Sequence, residues 1–336
     1  MRNFWFLLFL TLSLSGGTTV KIATYNVENL FDLRYDGGEY SEYIPNTIWK
    51  WNAKTYRAKL KNIAKVIVDI KPDIIALTEI ESDIALKDLQ NEISRQGLYF
   101  RYRAIANKKQ TSVKNAILSK HPLRKQEISI SQSRGTRNIL EAKVIIQGKP
   151  LYIYVNHWKA KSGPESKRIV YAKALKKHLD TLPENSAYIL MGDFNAHYKE
   201  HKTFIKKRKH NDTKGITGIN HILRTIDTQG ELYTRKTLND EGNYNLWMEV
   251  PSDERWSHKY KGQKEALDHI IISPALLNTD KSHYVLDSFE SFKAPYLFTK
   301  SKKKLYRWQR SRSRPLHHTG KGFSDHLPIS AEFYID

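Results

Sequence analysis

A succession of short β-type runs, each closed by a carboxylate, an amide or an imidazole, constrains this chain more than any other feature. Residues 20–25 lead into Asn26, with Glu28 close behind, and residues 74–78 lead into Glu79. Residues 152–155 lead into Asn156 and His157, and residues 188–192 into Asp193 and then Asn195. Leu267 precedes Asp268 and His269, and residues 322–324 precede Asp325 and His326, just before a last apolar run. If such strands share a sheet core, their ends converge on one rim, which then holds acids, amides and imidazoles together.

The remaining pattern says what kind of core that is. Tyr56, Leu60, Ile63, Ala64, Ile67 and Ile70 recur at helical spacing, so residues 55–70 form an amphipathic helix. Residues 83–95 and 164–179 read as further helices. Strands are expected at 20–26, 74–77, 99–103, 115–119, 140–146, 151–156, 188–191, 267–272 and 329–335, with a hairpin at Gly148-Lys149. Helices separate few of these strands, so a regular βαβ series is excluded. The expected class is α/β (α+β), with antiparallel-rich sheets packed together and flanked by helices. No internal repeat or Gly/Ser-rich linker divides residues 18–336, which read as one domain. Residues 202–214, 239–264 and 292–320 are expected to be long surface loops.

Residues 1–17 have a short basic start, an apolar run and small residues at the end, the pattern of a secretory signal peptide. The run is too short to span a bilayer, so the expectation is an exported protein, periplasmic or extracellular, without stable membrane insertion. The 336 residues include no Cys, which excludes thiol nucleophiles, disulfide scaffolds and zinc ribbons. Lys plus Arg number 56 against 35 for Asp plus Glu, a formal charge of +21. Such an excess favours a polyanionic partner, nucleic acid or an anionic membrane surface.

An oxygen-rich set suits a hard divalent cation. Glu79, Asp325 and Asn26 could supply oxygens to Mg²⁺, with Mn²⁺ or Ca²⁺ as alternatives. Phosphodiester hydrolysis needs a Lewis acid, an oriented water and relief of charge on the leaving oxygen. Asp193 and Asn195, one residue apart, could orient the water, and a His steered by a carboxylate could bind phosphate or move a proton. Plainer readings stand beside these. Asn26 and Asn195 are each by themselves more simply turn formers. His269 reads as a structural neighbour of Asp268, His121 as part of a turn, and His317-His318 as surface.

The ordered motifs carry a resemblance. They are Thr24-Tyr25-Asn26-Val27-Glu28-Asn29, Pro72-Asp73 through Glu79-Ile80-Glu81, and Asn115-Ala116-Ile117-Leu118-Ser119. Arg137-Asn138-Ile139-Leu140-Glu141, Asn156-His157-Trp158-Lys159 and Gly192-Asp193-Phe194-Asn195 follow, then Leu267-Asp268-His269-Ile270 and Ser324-Asp325-His326-Leu327-Pro328. The set resembles the endonuclease/exonuclease/phosphatase superfamily of DNase I-like and exonuclease III-like phosphodiesterases, and within it the secreted bacterial endonucleases. The resemblance implies a four-layered sandwich, two packed mixed β-sheets flanked by helices, with a divalent-metal site at one rim. It implies Glu79 as principal metal carboxylate, Asn26 and Asp325 beside it, and Glu28 as a weaker ligand. Asp193 and Asn195 would position the attacking water, and His326, held by Asp268, would contact phosphate. His157 would assist proton transfer, and Arg137 would face substrate phosphate. Glu28 stands where the exonuclease III-like pattern has Asp, and abasic-site specificity is not implied.

Charge then favours a nucleic acid, DNA before RNA, as substrate for a monomeric enzyme. Lys159 and Lys161 follow His157 directly. Lys302, Lys303, Lys304, Arg307, Arg310, Arg312 and Arg314 form an acid-free run with Tyr306 and Trp308 interleaved, suited to phosphates and exposed bases. Residues 206–209, also cationic, read as a solvated loop. Two alternatives remain: a sphingomyelinase-like phospholipase C docking through Phe292, Tyr296, Leu297 and Phe298, and a non-catalytic cationic DNA-binding protein on the same scaffold.

Overall fold

Among the described residues, strand β1 (Thr18–Leu30) is the first regular element, followed by α1 (Ala53–Ile70), β2 (Ile74–Ile80) and α2 (Asp83–Arg95). The computed structural model describes residues 16–107, 111–131, 135–205, 207–301, 304–312 and 314–336. The expected signal segment therefore lies almost wholly outside the described residues, as do Lys206, Lys302 and Lys303. Next come β3 (Tyr102–Ile105), β4 (Lys114–Ser119), β5 (Leu123–Ile128), β6 (Ile139–Ile146), β7 (Lys149–His157), α3 (Ser166–Leu179) and β8 (Tyr188–Asp193). A short α4 (Glu200–Thr203) and β9 (Tyr244–Asn245) precede the β10 (His258–Tyr260) and β11 (Gln263–Glu265) ribbon. The chain closes with β12 (Asp268–Ile272), β13 (His283–Tyr284), β14 (Glu290–Ser291) and β15 (Ile329–Ile335).

The strands build two sheets. One runs β13-β15-β1-β2-β4-β3, with β14 also on β15, and the other runs β5-β6-β7-β8-β12-β9. Both are mixed, because β1–β2 and β7–β8 are parallel while the remaining pairs are antiparallel. Between them lies an apolar layer: Ile22, Ile74 and Ile117 from the first sheet meet Val144, Ile153, Met191 and Ile270 from the second. Outward-facing Tyr25, Ile75 and Leu77 pack against Ile63, Ile67 and Leu86 of α1 and α2. On the other side Tyr154, Leu190 and Ile271 pack against Tyr171 and Leu175 of α3. The result is the expected four-layered sandwich. Strand β2 is buried on both faces, which explains its unbroken apolar run.

Helix α1 begins where Asn52 caps Lys54 and Thr55 and Thr55 returns a bond to the Asn52 N–H. It ends at Lys71, which takes a left-handed conformation. Its Lys59 is fully buried and donates to the carbonyls of Glu28 (3.0 Å) and Phe323 (3.1 Å), tying β1 to the segment that precedes β15. Among the described residues no helix is long and apolar enough to cross a membrane.

The segment at 292–320 departs from the expected surface loop. Leu297, Leu305 and Trp308 join the core under α1, and Phe292, Tyr296 and Phe298 pack against it. Hydrophobic residues there are used for packing, at a spacing that matches neither helix nor strand. His318, expected at the surface, is buried; its Nδ1 accepts the Trp308 indole N–H at 2.8 Å and its Nε2 donates to the Glu42 carbonyl at 2.8 Å.

Gly192 sits at φ 119°, and a Cβ there would lie 2.1 Å from the Asn156 carbonyl oxygen on the parallel neighbour β7. Both the conformation and the contact forbid a side chain. Gly192→Ala should destabilise the protein by about 2 kcal/mol or more, read as a lower urea midpoint. A midpoint equal to wild type would mean that β7 and β8 do not approach as described.

Candidate metal and phosphoester site

Both parallel pairs end at the same edge of the sandwich. The ends of β1 and β2 supply Asn26, Glu28 and Glu79, and those of β7 and β8 supply His157 and Asp193. Asp268 begins β12 directly opposite Asp193. Asp325 and His326 enter just before β15, whose far end pairs with the start of β1. The register of β2 shifts against both neighbours between Leu77 and Ile80, and Glu79 within that shift has φ 69°. Such a bulge re-aims a side chain that regular alternation would send elsewhere. Glu28 (φ 52°) and Asn195 (φ 48°) are also left-handed, so backbone strain gathers at this edge.

Asn26 is the meeting point. Its amide nitrogen donates to Glu79 Oε1 at 3.2 Å and to Asp193 Oδ2 at 3.1 Å, and its oxygen accepts the Glu28 N–H at 3.0 Å. The Asn195 N–H donates to Asp193 Oδ1 at 2.8 Å, and the Asn195 amide to the Trp158 carbonyl at 3.3 Å. Burial, with Asp268 and Glu79 nearby, pushes the Asp193 carboxyl up to about 7. Burial and Asp325 likewise raise Glu79.

The two imidazoles differ. His157 is buried, with Nε2 3.6 Å from Asp193 and 3.8 Å from Glu79, beyond hydrogen-bonding reach, and its Nδ1 has no hydrogen-bond partner among the described residues. Burial and the cationic Arg137 keep it neutral, far below its ordinary value. His326 Nδ1 lies 2.7 Å from Asp268 Oδ2. Burial, the largest single effect, opposes its charge, but Asp268 together with Asp193 and Asp325 outweighs burial and raises the imidazole well above its ordinary value. Asp268 is itself held by the Ser257 hydroxyl on its N–H at 3.1 Å.

Several expected roles are revised by these contacts. Arg307 and the Trp308 N–H hold the Glu28 carboxylate, so it has protein partners of its own. The same Arg307 reaches Asp325 Oδ2 at 3.0 Å, so it acts as a bracket within the site before it acts on substrate. Trp308 is 4% exposed and cannot stack on a base. Lys161 is paired with Glu265 (2.6 Å) and Glu200 (3.0 Å). Asn26, expected as an oxygen ligand, also joins two carboxylates through its amide nitrogen. Arg310 pairs with Glu42, leaving Lys304, Arg312 and Arg314 of the described basic run exposed. Arg137 and Lys159 flank the site, half-buried.

Other residues here carried no signal in the sequence. His258 forms, with Asp325 and His326, a group whose ligand atoms all lie within 4.8 Å of one another. It arrives on β10, inside a segment read as loop, through a bridge to His326. Tyr40 is exposed beside Arg137, where burial raises its phenol and the guanidinium opposes the rise. Glu79 and Asp325, with Asp193 close by, leave an oxygen-rich edge whose donor chemistry fits a divalent ion.

Residues 21–335 match the endonuclease/exonuclease/phosphatase family, and the chain belongs to it. The comparison with curated proteins gives no match. Among solved structures, D. rerio TDP2 complexed with a single-strand DNA product is similar at 12% identity and TM-score 0.56, over 94% of this chain and 99% of that one. An AP endonuclease from Archaeoglobus fulgidus is similar at 16% identity and TM-score 0.56, over 93% and 98%. A mannosyl-6-phosphatase from Bacteroides thetaiotaomicron follows at 14% identity and TM-score 0.52, over 94% and 99%. At such identities the likeness is one of fold, a DNase I-like sandwich.

The Asp268–His326 pair sets a pH dependence. A raised imidazole contributes stability that is full below its unfolded value and fades as pH rises through the folded one. Asp268→Asn should therefore destabilise most below about pH 6.5, with the deficit shrinking at higher pH. A deficit in urea midpoint that grows with pH would refute the pairing.

Proposed function

We propose that this protein is an exported phosphodiesterase that uses Mg²⁺ and cleaves DNA internally, acting as a monomer. The observation that carries this reading is the buried Asp193, held by Asn26 and Asn195 opposite a charged His326. A divalent ion at Glu79 and Asp325 would supply Lewis-acid stabilisation of phosphoryl charge. The remaining work falls to side chains. Asp193, with a carboxyl near 7, is matched to accept a proton from an attacking water at neutral pH. His326 presents a cation to phosphate, kept charged by Asp268. Neutral His157 is suited to proton transfer, and Arg137 to a non-bridging phosphate oxygen.

The signal-like N-terminus supports export, and the exposed cations around an acidic centre support a polyanionic substrate. A lipid-docking reading is weakened because Leu297 is buried and Phe292, Tyr296 and Phe298 pack inward. The complete set of acids and imidazoles argues against a purely binding role.

Purified protein should degrade plasmid DNA in Mg²⁺ and stop on adding EDTA. Asp193→Asn and His326→Ala should each lower kcat by about 10²–10⁴, with DNA affinity largely kept. A panel of duplex DNA, single-stranded DNA, RNA, sphingomyelin and phosphomonoesters reads the substrate directly. Intact DNA, or cleavage unchanged in both variants, would overturn the reading.

A further inference from the structure

Beside Arg137 lies an open cavity of ≈ 270 Å³ whose lining includes Ile130, Thr136, Lys159, Lys167, Val170 and Tyr171. It is continuous in sequence with the site, for Thr136 precedes Arg137 and Lys159 follows His157 and Trp158. It is also tied to the site: the Tyr171 hydroxyl accepts the Arg137 N–H at 3.1 Å, and Trp158 stacks near Tyr171 with centroids 6.3 Å apart.

We propose that this cavity is the subsite for the nucleotide flanking the scissile phosphate. Its phosphate sits between the Lys159 and Lys167 ammonium groups, and its base lies against Val170 and Ile130. The inference rests on the DNA-cleaving reading above and adds to it a place on the surface. Lys167 and Val170 are three apart on α3 and so share a face. Both are exposed, Val170 at 46%. Lys161, two residues beyond Lys159, is neutralised by Glu200 and Glu265. Lys159 and Lys167 have no such acid among the described residues. The cavity therefore offers both cations and apolar side chains, the two kinds of contact that a nucleotide takes. Its size is at the small end for ligand pockets and suits one nucleotide, not an extended chain.

Two variants test this, Lys167→Glu and Val170→Trp, each at an exposed helix position. For each, kcat/KM is measured on a single-stranded hexanucleotide and on bis(p-nitrophenyl) phosphate, which carries no flanking nucleotide. The ratio of the two should fall about tenfold, the scale of one lost stacking or phosphate contact. Thymidine 3′,5′-bisphosphate is titrated calorimetrically into the wild-type chain and both variants. Saturable binding that weakens in both variants supports the subsite, whether or not DNA is cleaved. If the wild type binds the bisphosphate this way but leaves DNA intact, the DNA reading fails and the subsite stands. An unchanged ratio, or bisphosphate binding equal in all three proteins, overturns the subsite and leaves the DNA reading in place.

Discussion

The amide of Asn26 holds two carboxylates from two different sheets at the same point. Glu79 belongs to one sheet and Asp193 to the other, and the amide nitrogen lies 3.2 Å from one and 3.1 Å from the other. Two like charges several ångströms apart at an effective dielectric near 20 repel by about 3–4 kcal/mol. Without a donor between them, the edge of the sandwich would open or both acids would take up protons. The raised Asp193 and Glu79 carboxyls show that repulsion and burial still press on the site. The left-handed turns at Glu28, Glu79 and Asn195 and the close approach at Gly192 serve the same geometry.

Around this point the charges are arranged in rings. His326 and Asp268 form one pair, and Arg307 spans Glu28 and Asp325. Lys59, fully buried below them, is lowered to about 8 by burial while Glu28 and Asp325 pull it back toward charge. The cations nearest the acids therefore serve the fold first. The excess of 56 basic over 35 acidic residues is carried to the surface by exposed groups farther out, such as Lys167, Lys304 and Arg312.

The architecture was readable because its signals are local. Strand and helix periods run over a few residues, and polar residues that close apolar runs mark strand ends. Glu79, His157, Asp193, Asp268 and His326 were found this way, and the structure brings them to one edge. What escaped depends on contacts across the whole chain. The partner of Glu28 is Arg307, 279 residues away, and no local pattern announces that pairing. Trp308 looked available for stacking because a loop of Arg and Lys looks solvated, yet its neighbours Leu297 and Leu305 bury it. His258 was hidden inside an irregular stretch whose two short strands form a small separate ribbon.

The most direct test of the account is Mn²⁺ binding to the full chain, measured by calorimetry in wild type, Glu79→Gln and Glu28→Gln. A metal edge built on Glu79, with Glu28 held by Arg307, predicts one saturable site in the wild type. Affinity should fall about a hundredfold or more in Glu79→Gln and stay close to wild type in Glu28→Gln. Equal losses in both variants, or no loss in Glu79→Gln, would contradict it.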